Sequence, residues 1–384
     1  MIYLDHAATT YTDEAVLKEM LPYYSEVYGN ASSLHAEGRK ATAAVDQSRE
    51  RVARALGCKK NEVYFTSGGT ESDNWAIRGV AYAKKEKGKH IITSKIEHHA
   101  VLHTVEQLEK EGFSVTYLDV DEYGTVSPES VAAAIRPDTV LVTVMAANNE
   151  VGTLQPIKEI AQICKERGVL MHTDAVQAIG AVPINVQELG VDLLSLSGHK
   201  FYGPKGIGVL YVRSGVRLQR FMLGGAQERS MRGGTSNTPG IVGLGFAIEK
   251  AVNEMEENNA HVTALRDRFI AAVTERIPYC RLNGHPQSRL PNNANFSFQY
   301  VEGESILLSL DFEDICVSSG SACTSGSLEP SHVLLAMGLP EELAHGSIRF
   351  TFGKRNTVAD VDKTVDVLQN ALQRLRAMSP LFPG

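Results

Sequence analysis

The sequence predicts an α/β fold in which a largely parallel sheet is covered by helices on both faces, together with a smaller α+β domain. Between residues 62 and 213, short apolar β-branched runs alternate with longer helical patterns, as in strands joined by helical crossovers. After about residue 255 this rhythm gives way to long helices and a few separated strands. The length of 384 residues also suits two domains better than one core.

The elements follow in order, each strand predicted from a β-branched apolar run and each helix from apolar residues at helical spacing. In the first part, strands are predicted at 62–66, 90–93, 114–120, 140–146, 169–173, 193–196 and 208–212, and helices at 70–85, 98–110, 128–135 and 156–167. In the second part, helices are predicted at 260–276, 304–310 and 358–376, and strands at 294–298 and 347–351.

Composition excludes several classes of protein. The net charge of −7 and the lack of a basic stripe argue against a nucleic-acid partner. The sequence contains neither a signal peptide nor an apolar run long enough to span a membrane, so no membrane association is expected. The five cysteines are odd in number, widely spaced and without a CxxC pair, which argues against a disulfide framework and a zinc ribbon and favours a reducing cytoplasm.

A glycine-containing turn follows the strand predicted at 62–66. It reads Thr-Ser-Gly-Gly-Thr-Glu and opens a helix, whose free N–H groups and dipole favour an anion. Gly69 and Thr70 are therefore candidate phosphate-binding residues. Taken alone, the turn is better explained as an ordinary helix cap, with Ser67 or Thr70 as the N-cap residue.

Asp174 and Gln177 come directly after the strand predicted at 169–173. Ligands of parallel sheets bind at this carboxyl edge, where a carboxylate could keep a pyridine nitrogen protonated. The alternative role for Asp174 is that of a helix N-cap.

Lys200 ends the run Ser-Leu-Ser-Gly-His-Lys, which follows another short strand. Its small and hydroxylated neighbours suit a Schiff-base lysine, which needs a fixed position and an uncharged amine. Ser197 and His199 could donate hydrogen bonds to a phosphate. A polar loop with a solvated lysine is the alternative.

Three histidines lie near the start of the helix predicted at 98–110. His99 and His103 share a helix face, but the H-E-x-x-H pattern and a third ligand are absent, so no metal site is predicted. His98, at the strand-to-helix junction, is better placed for acid–base chemistry or for stacking on a flat cofactor. A structural role remains the alternative for each.

Two further candidates belong to the second part of the chain. Cys323 lies in a Ser/Gly-rich stretch, so we expect an exposed and mobile thiol that can react as the thiolate; an incidental surface thiol is the alternative. Arg349 stands between apolar residues on a strand pattern, where a buried guanidinium needs an anionic partner. A substrate carboxylate would suit its bidentate fork, and a structural ion pair is the alternative.

The order of these residues resembles that of the fold-type I pyridoxal-phosphate (PLP) enzymes, which have the aspartate-aminotransferase-like fold. Other stretches, from residue 3 to about 380, are similar to the NifS/IscS family of cysteine desulfurases: residues 3–10, 70–74, 148–152, 231–235 and the Cys323 loop. The resemblance implies a mostly parallel seven-stranded sheet. We expect residues 15–255 to form the large PLP-binding domain, and residues 1–14 with 256–384 to form the small domain that carries the cysteine loop.

The resemblance also implies which residues hold the cofactor. Lys200 would bind PLP covalently, and Asp174 would pair with the pyridinium nitrogen. Gln177 would contact the ring hydroxyl, and His98 would stack on the ring and assist proton transfer. The phosphate would be bound by residues at the helix start and after the Lys200 strand, namely Gly69, Thr70, Ser197 and His199.

The remaining implied roles concern the substrate and the partner proteins. Thr235 would reach the phosphate of the partner subunit in a homodimer. Asn149 would contact the cofactor and, with Arg349, hold the carboxylate of L-cysteine. Cys323 would take the substrate sulfur as a persulfide, leaving alanine, and pass it to an acceptor such as an iron–sulfur scaffold protein.

Three other functions are compatible with part of this pattern. A selenocysteine lyase and an aminotransferase share the same fold, although an aminotransferase has no use for Cys323. A non-catalytic sulfur-relay or scaffold partner would bind no PLP.

Overall fold

A computed structural model describes residues 1–319 and 330–383. Its central feature is a seven-stranded sheet, in the strand order β2-β8-β7-β6-β5-β3-β4. The strands are β2 (Val63–Thr66), β3 (His90–Ser94), β4 (Ser114–Leu118), β5 (Thr139–Thr143), β6 (Leu170–Asp174), β7 (Leu193–Ser197) and β8 (Gly208–Val212).

Strands β3 to β7 run parallel, and only β8 is antiparallel to its neighbours β7 and β2. The predicted α/β fold with a mostly parallel sheet is therefore confirmed. The reversal at β8 follows from the short connection after Lys200, because a parallel return needs a crossover of a dozen or more residues.

Helices cover the sheet and fill the rest of the chain. Their bounds are α1 (Glu14–Met20), α2 (Pro22–Ser25), α3 (Ala36–Leu56), α4 (Gly69–Lys84), α5 (His99–Lys110), α6 (Pro128–Ala134), α7 (Ile157–Arg167), α8 (Val186–Leu189), α9 (Thr238–Asn253), α10 (Met255–Arg276), α11 (Gly303–Asp311), α12 (His332–Ala336), α13 (Glu341–His345) and α14 (Val358–Met378). Within the described residues, no helix combines the length and apolar character that a membrane crossing requires.

Local sequence explains where several helices begin and end. Thr357 and Asp360 form a reciprocal capping box at the start of α14, with N–H donors bonded at 3.2 and 2.8 Å. At the end of α7, Gly168 adopts a φ of 67°, a left-handed conformation that glycine reaches without a Cβ penalty.

A second core lies around a three-stranded antiparallel sheet in the order β12-β10-β9, with β9 (Cys280–Asn283), β10 (Asn293–Phe298) and β12 (Ser347–Thr351). Phe269, Phe296 and Phe350 are fully buried there. The N-terminal strand β1 (Ile2–Tyr3) pairs with β11 (Ile315–Cys316), so the start of the chain contributes to this core. The domain boundaries at residues 14/15 and 255/256 stay a prediction.

Candidate active site

A cavity of about 400 Å³ lies beside the carboxyl ends of β6 and β7, a size that suits a small organic ligand. Ten of the twelve candidate residues line it: Gly69, Thr70, His98, Asn149, Asp174, Gln177, Ser197, His199, Lys200 and Arg349. Their roles are still predictions, but the structure brings these ten side chains and backbones together.

Lys200 ends a 3₁₀ turn (Gly198–Lys200) that directly follows β7. Its amine donates hydrogen bonds to the carbonyl oxygens of Ala7 at 2.5 Å and Ala8 at 2.9 Å. Gln177 Nε2 donates to the same Ala7 oxygen at 3.0 Å. The N-terminal segment therefore forms one wall of the cavity and orients the amine.

Asp174 is the last residue of β6 and is only 6% exposed. Its Oδ1 accepts a hydrogen bond from the Val176 N–H at 2.8 Å. Burial raises the pKa of Asp174 from 3.8 to about 6, although that hydrogen bond and the positive charge of Lys200 act in the opposite direction. A cation placed above this carboxylate would therefore be strongly favoured.

Asp73 is a second carboxyl group in the cavity wall, and sequence reasoning assigned it no role. It is 1% exposed, and within the described residues its Oδ1 has no hydrogen-bond partner. His172 Nε2 lies 3.7 Å from this oxygen, but burial lowers the pKa of His172 to about 3, so its ring is neutral and brings no positive charge. Burial, followed by the charge of Asp174, raises its pKa well above 3.8. The sequence signal was an acidic residue two positions before the buried Trp75, on the inward face of α4.

His98 is the N-cap of α5, and its Nδ1 accepts a hydrogen bond from the Ala100 N–H at 3.1 Å. The neutral ring consequently carries its proton on Nε2. Burial, and then the charge of Lys200, lower the pKa of His98 to about 4. His98 is therefore neutral at physiological pH, as a ring that stacks on a flat cofactor should be.

The other end of the cavity is suited to an anion. Gly69 and Thr70 open α4, whose first N–H groups have no intrahelical acceptor. Ser197 lies beside this turn, because a Cβ on Gly68 would be 3.8 Å from its Oγ. His199 also lines the cavity, and its Nδ1 lies 3.0 Å from Thr9 Oγ1. A Cβ at Gly208 would lie 2.7 Å from the Gly68 backbone, so only glycine permits β8 to approach the turn this closely.

Arg349, on β12, closes the cavity from the second core and is 3% exposed. Its Nη1 donates to the Asn149 carbonyl oxygen and its Nη2 to Asp5 Oδ1, both at 2.9 Å. Asp5 neutralises the buried guanidinium charge, so the structural ion pair considered as the alternative for Arg349 is present. The side chain of Arg349 nevertheless also lines the cavity. Sequence reasoning missed Asp5, because its partner is 344 residues away.

The predicted Cys323 lies outside the described residues, but both flanks of its segment are anchored beside the cavity. Ser318 pairs with Arg349 through an isolated antiparallel bridge. On the other side, Ser331 Oγ donates to Glu150 Oε2 at 2.5 Å. His332 Nε2 lies 3.0 Å from the Glu97 carbonyl oxygen, next to His98.

Thr235 does not line the cavity but is exposed on the surface of its own chain.

The rings of three histidines lie close together: the centroid of the His99 ring is 4.9 Å from that of His103 and 4.9 Å from that of His332. No group of three or more His, Cys, Asp or Glu side chains within residues 1–319 and 330–383 is arranged to hold a metal ion.

Comparison with known proteins identifies relatives over nearly the whole chain. The profile of the family described as aminotransferase class-V matches residues 2–364. A protein from Methanosarcina thermophila named cysteine desulfurase IscS is 56% identical, covering 100% of this chain and 94% of its own length. The protein of that name from Clostridium botulinum is also 56% identical, covering 99% and 96%. A solved structure titled NifS-like protein superposes with a TM-score of 0.92 at 39% identity, covering 97% of this chain and 99% of that chain.

Proposed function

Because the chain belongs to the aminotransferase class-V family and is a cysteine desulfurase of the NifS/IscS group, we propose that its cavity binds PLP and L-cysteine. The products are alanine and a persulfide on Cys323. The observation that carries this proposal is that Lys200, Asp174 and Arg349 line one cavity, although they come from three different elements and from both cores.

The residues present fit PLP. An amine at Lys200 can bind an aldehyde carbon, the buried Asp174 carboxylate can pair with a pyridinium nitrogen, and neutral His98 can cover the ring face. The start of α4, with Ser197 and His199, offers N–H and O–H donors to a phosphate. When bound there, PLP supplies an electron sink that stabilises negative charge at the substrate Cα.

Each side chain then has a defined task. Arg349 binds the substrate carboxylate with its guanidinium fork, and Asn149, whose carbonyl oxygen fixes that fork, supports it. Lys200 accepts the proton from the substrate Cα and returns protons later in the cycle. Asp174 keeps the opposite end of the site negative, so that a protonated ring nitrogen is retained.

Sulfur transfer assigns the nucleophile to Cys323. Its thiolate attacks the substrate sulfur and forms an S–S bond, the C–S bond breaks with its electron pair remaining on carbon, and protonation there yields alanine. Cys323 follows Ser318 by five residues, which a chain can extend over at most about 18 Å. Because Ser318 is bridged to Arg349 at the cavity, this distance supports the assignment.

A homodimer is part of the proposal, with Thr235 contacting the phosphate of the partner subunit. Exposed Thr235 is close in sequence to a group of exposed apolar side chains that a monomer leaves in water. Exposed apolar side chains in this part of the chain and near its N-terminus include Tyr24, Tyr28, Leu34, Met222 and Leu223. Such apolar exposure is typical of surfaces that bind another protein.

We further propose that the persulfide sulfur passes to an acceptor protein, for iron–sulfur cluster assembly or another sulfur-containing product. A catalytic cysteine must be a free thiol at the start of each turnover, and reducing compartments keep thiols free, which supports a cytoplasmic location.

The proposal is tested by incubating PLP-loaded protein with L-cysteine and a thiol reductant, and by measuring sulfide and alanine. Equal amounts of both products are expected. The Cys323→Ala variant should keep bound PLP but lose both products, whereas an aminotransferase would retain its activity. If PLP-loaded parent protein releases neither product, the proposed function is wrong.

A further inference from the structure

We propose that Arg232 is a positioning residue of the phosphate-binding turn: it neutralises the carboxylate of Glu71 and fastens the segment that carries Thr235 to the start of α4. This inference rests on the proposed function, because it assumes that the turn receives the phosphate of PLP. Neither Glu71 nor Arg232 lines the cavity, so both act through their neighbours.

Glu71 lies in the first turn of α4 and is 9% exposed. Its Oε2 accepts a hydrogen bond from the Ser67 N–H at 2.7 Å, which closes the turn on itself. Arg232 donates two hydrogen bonds to the same carboxylate, from Nε to Oε1 at 2.8 Å and from Nη2 to Oε2 at 3.1 Å. Burial opposes ionisation, but the hydrogen bonds from Arg232 and Ser67 outweigh it and lower the pKa of Glu71. The pair is therefore charged and bidentate.

The negative charge of Glu71 lies close to the predicted phosphate site, and Arg232 neutralises it. Glu71 directly follows Thr70, which lines the anion-binding end of the cavity. An ionised carboxylate at that place would repel an incoming phosphate, whereas a neutralised carboxylate can hold the turn in shape. Arg232 thus allows one residue to order the turn without opposing the ligand.

A second buried ion pair holds the same segment to the sheet. Arg49 binds Glu228 with two contacts of 2.8 Å, and Glu228 also accepts the Phe65 N–H at 3.0 Å. This pair fixes a 3₁₀ turn (Glu228–Ser230) whose three residues have φ between 45° and 63°, a strained left-handed conformation for residues other than glycine.

The segment is fixed at Glu228 and attached again at Arg232, and Thr235 follows Arg232 by only three positions. Three residues span at most about 11 Å. The Glu71–Arg232 pair therefore sets where Thr235 is presented on the surface, and it links that position to the turn that binds phosphate within the same chain.

The test compares binding of PLP with binding of pyridoxal, which lacks the phosphate, in holoenzyme first stripped of its cofactor. In Arg232→Met the Glu71 charge is left without its partner, so we expect PLP to bind about 10- to 100-fold more weakly. Pyridoxal binding should change less than about threefold, since it makes no phosphate contact. The matched control is Arg268→Met, which removes an exposed bidentate pair with Asp362 and should change neither affinity.

The Glu71→Gln variant distinguishes the effect of the Glu71 charge from the effect of its hydrogen bond to the turn. Its amide oxygen can still accept the Ser67 N–H, while the repulsive charge is gone, so PLP should bind at least as tightly as to the parent protein. Adding Glu71→Gln to Arg232→Met should restore most of the lost PLP affinity, and this rescue also excludes misfolding as the cause. Equal losses for PLP and pyridoxal, or no rescue in the double variant, would overturn the inference. Parent protein that fails to bind PLP would instead overturn the proposed function.

Discussion

Asp174→Asn is predicted to stabilise the cofactor-free protein while it weakens PLP binding. The carboxyl group is almost completely buried and receives one hydrogen bond, from the Val176 N–H. An asparagine side-chain oxygen can accept the same bond, so the substitution removes the ionisable group with little change in packing. Bound PLP would lose the negative partner of its pyridinium nitrogen.

The expected stabilisation follows from the pKa of Asp174. It is 3.8 in the unfolded chain and about 6 in the fold, a difference that corresponds to about 3 kcal/mol. The unfolded chain releases this proton at lower pH than the folded chain, so the parent protein loses stability as the pH rises from about 4 to 6. Removing the carboxyl group should raise the free energy of unfolding by at most about 3 kcal/mol above pH 6, and by almost nothing below pH 4.

The assay is urea unfolding of both cofactor-free proteins from pH 4 to pH 8. The control is Asp362→Asn, because hydrogen bonds from Arg268 lower the pKa of this exposed carboxyl group. Its substitution should not stabilise the fold at any pH. The reasoning is refuted if Asp174→Asn is no more stable than the parent at pH 7, or if its advantage does not shrink towards pH 4.

Three further predictions concern the binding of the substrate and the attachment of the cofactor. Arg349→Met should raise the KM for L-cysteine at least about 30-fold, because the carboxylate loses its buried charged partner; an unchanged KM would exclude Arg349 from substrate binding. Asp5→Asn should lower that KM, because Asp5 occupies Nη2 of Arg349 at 2.9 Å in the substrate-free site, and a higher KM would show that Asp5 is needed only to hold the arginine in place. Lys200→Ala should abolish the visible absorption band of PLP-loaded parent protein, and an identical band in both proteins would assign the covalent attachment elsewhere.

The sheet could be predicted because its strands are short, mostly apolar runs separated by helical patterns. All seven strands lie where the pattern placed them, and the polar residues that follow β6 and β7 reach the cavity. The rule that parallel sheets bind ligands at their carboxyl edge placed Asp174 at a ligand site, whereas the role of Lys200 was predicted from its small, hydroxylated neighbours and from the resemblance to PLP enzymes.

Other features could not be predicted because they depend on distant parts of the chain. Helix α3 was missed, since its buried face mixes small residues such as Ala41 and Ala44 with polar Ser48 and Arg49, which interrupts the hydrophobic pattern. The contact between Asp5 and Arg349 forms only when β1 joins the second core. The Glu71–Arg232 pair likewise joins two segments that are 161 residues apart.

The most direct test is a single turnover of PLP-loaded protein with L-cysteine in the absence of any reductant. We expect one alanine for each active site, and mass spectrometry of the digested protein should find the peptide with Cys323 heavier by one sulfur atom. Alanine formed without that extra sulfur, or extra sulfur on another cysteine only, would contradict the account.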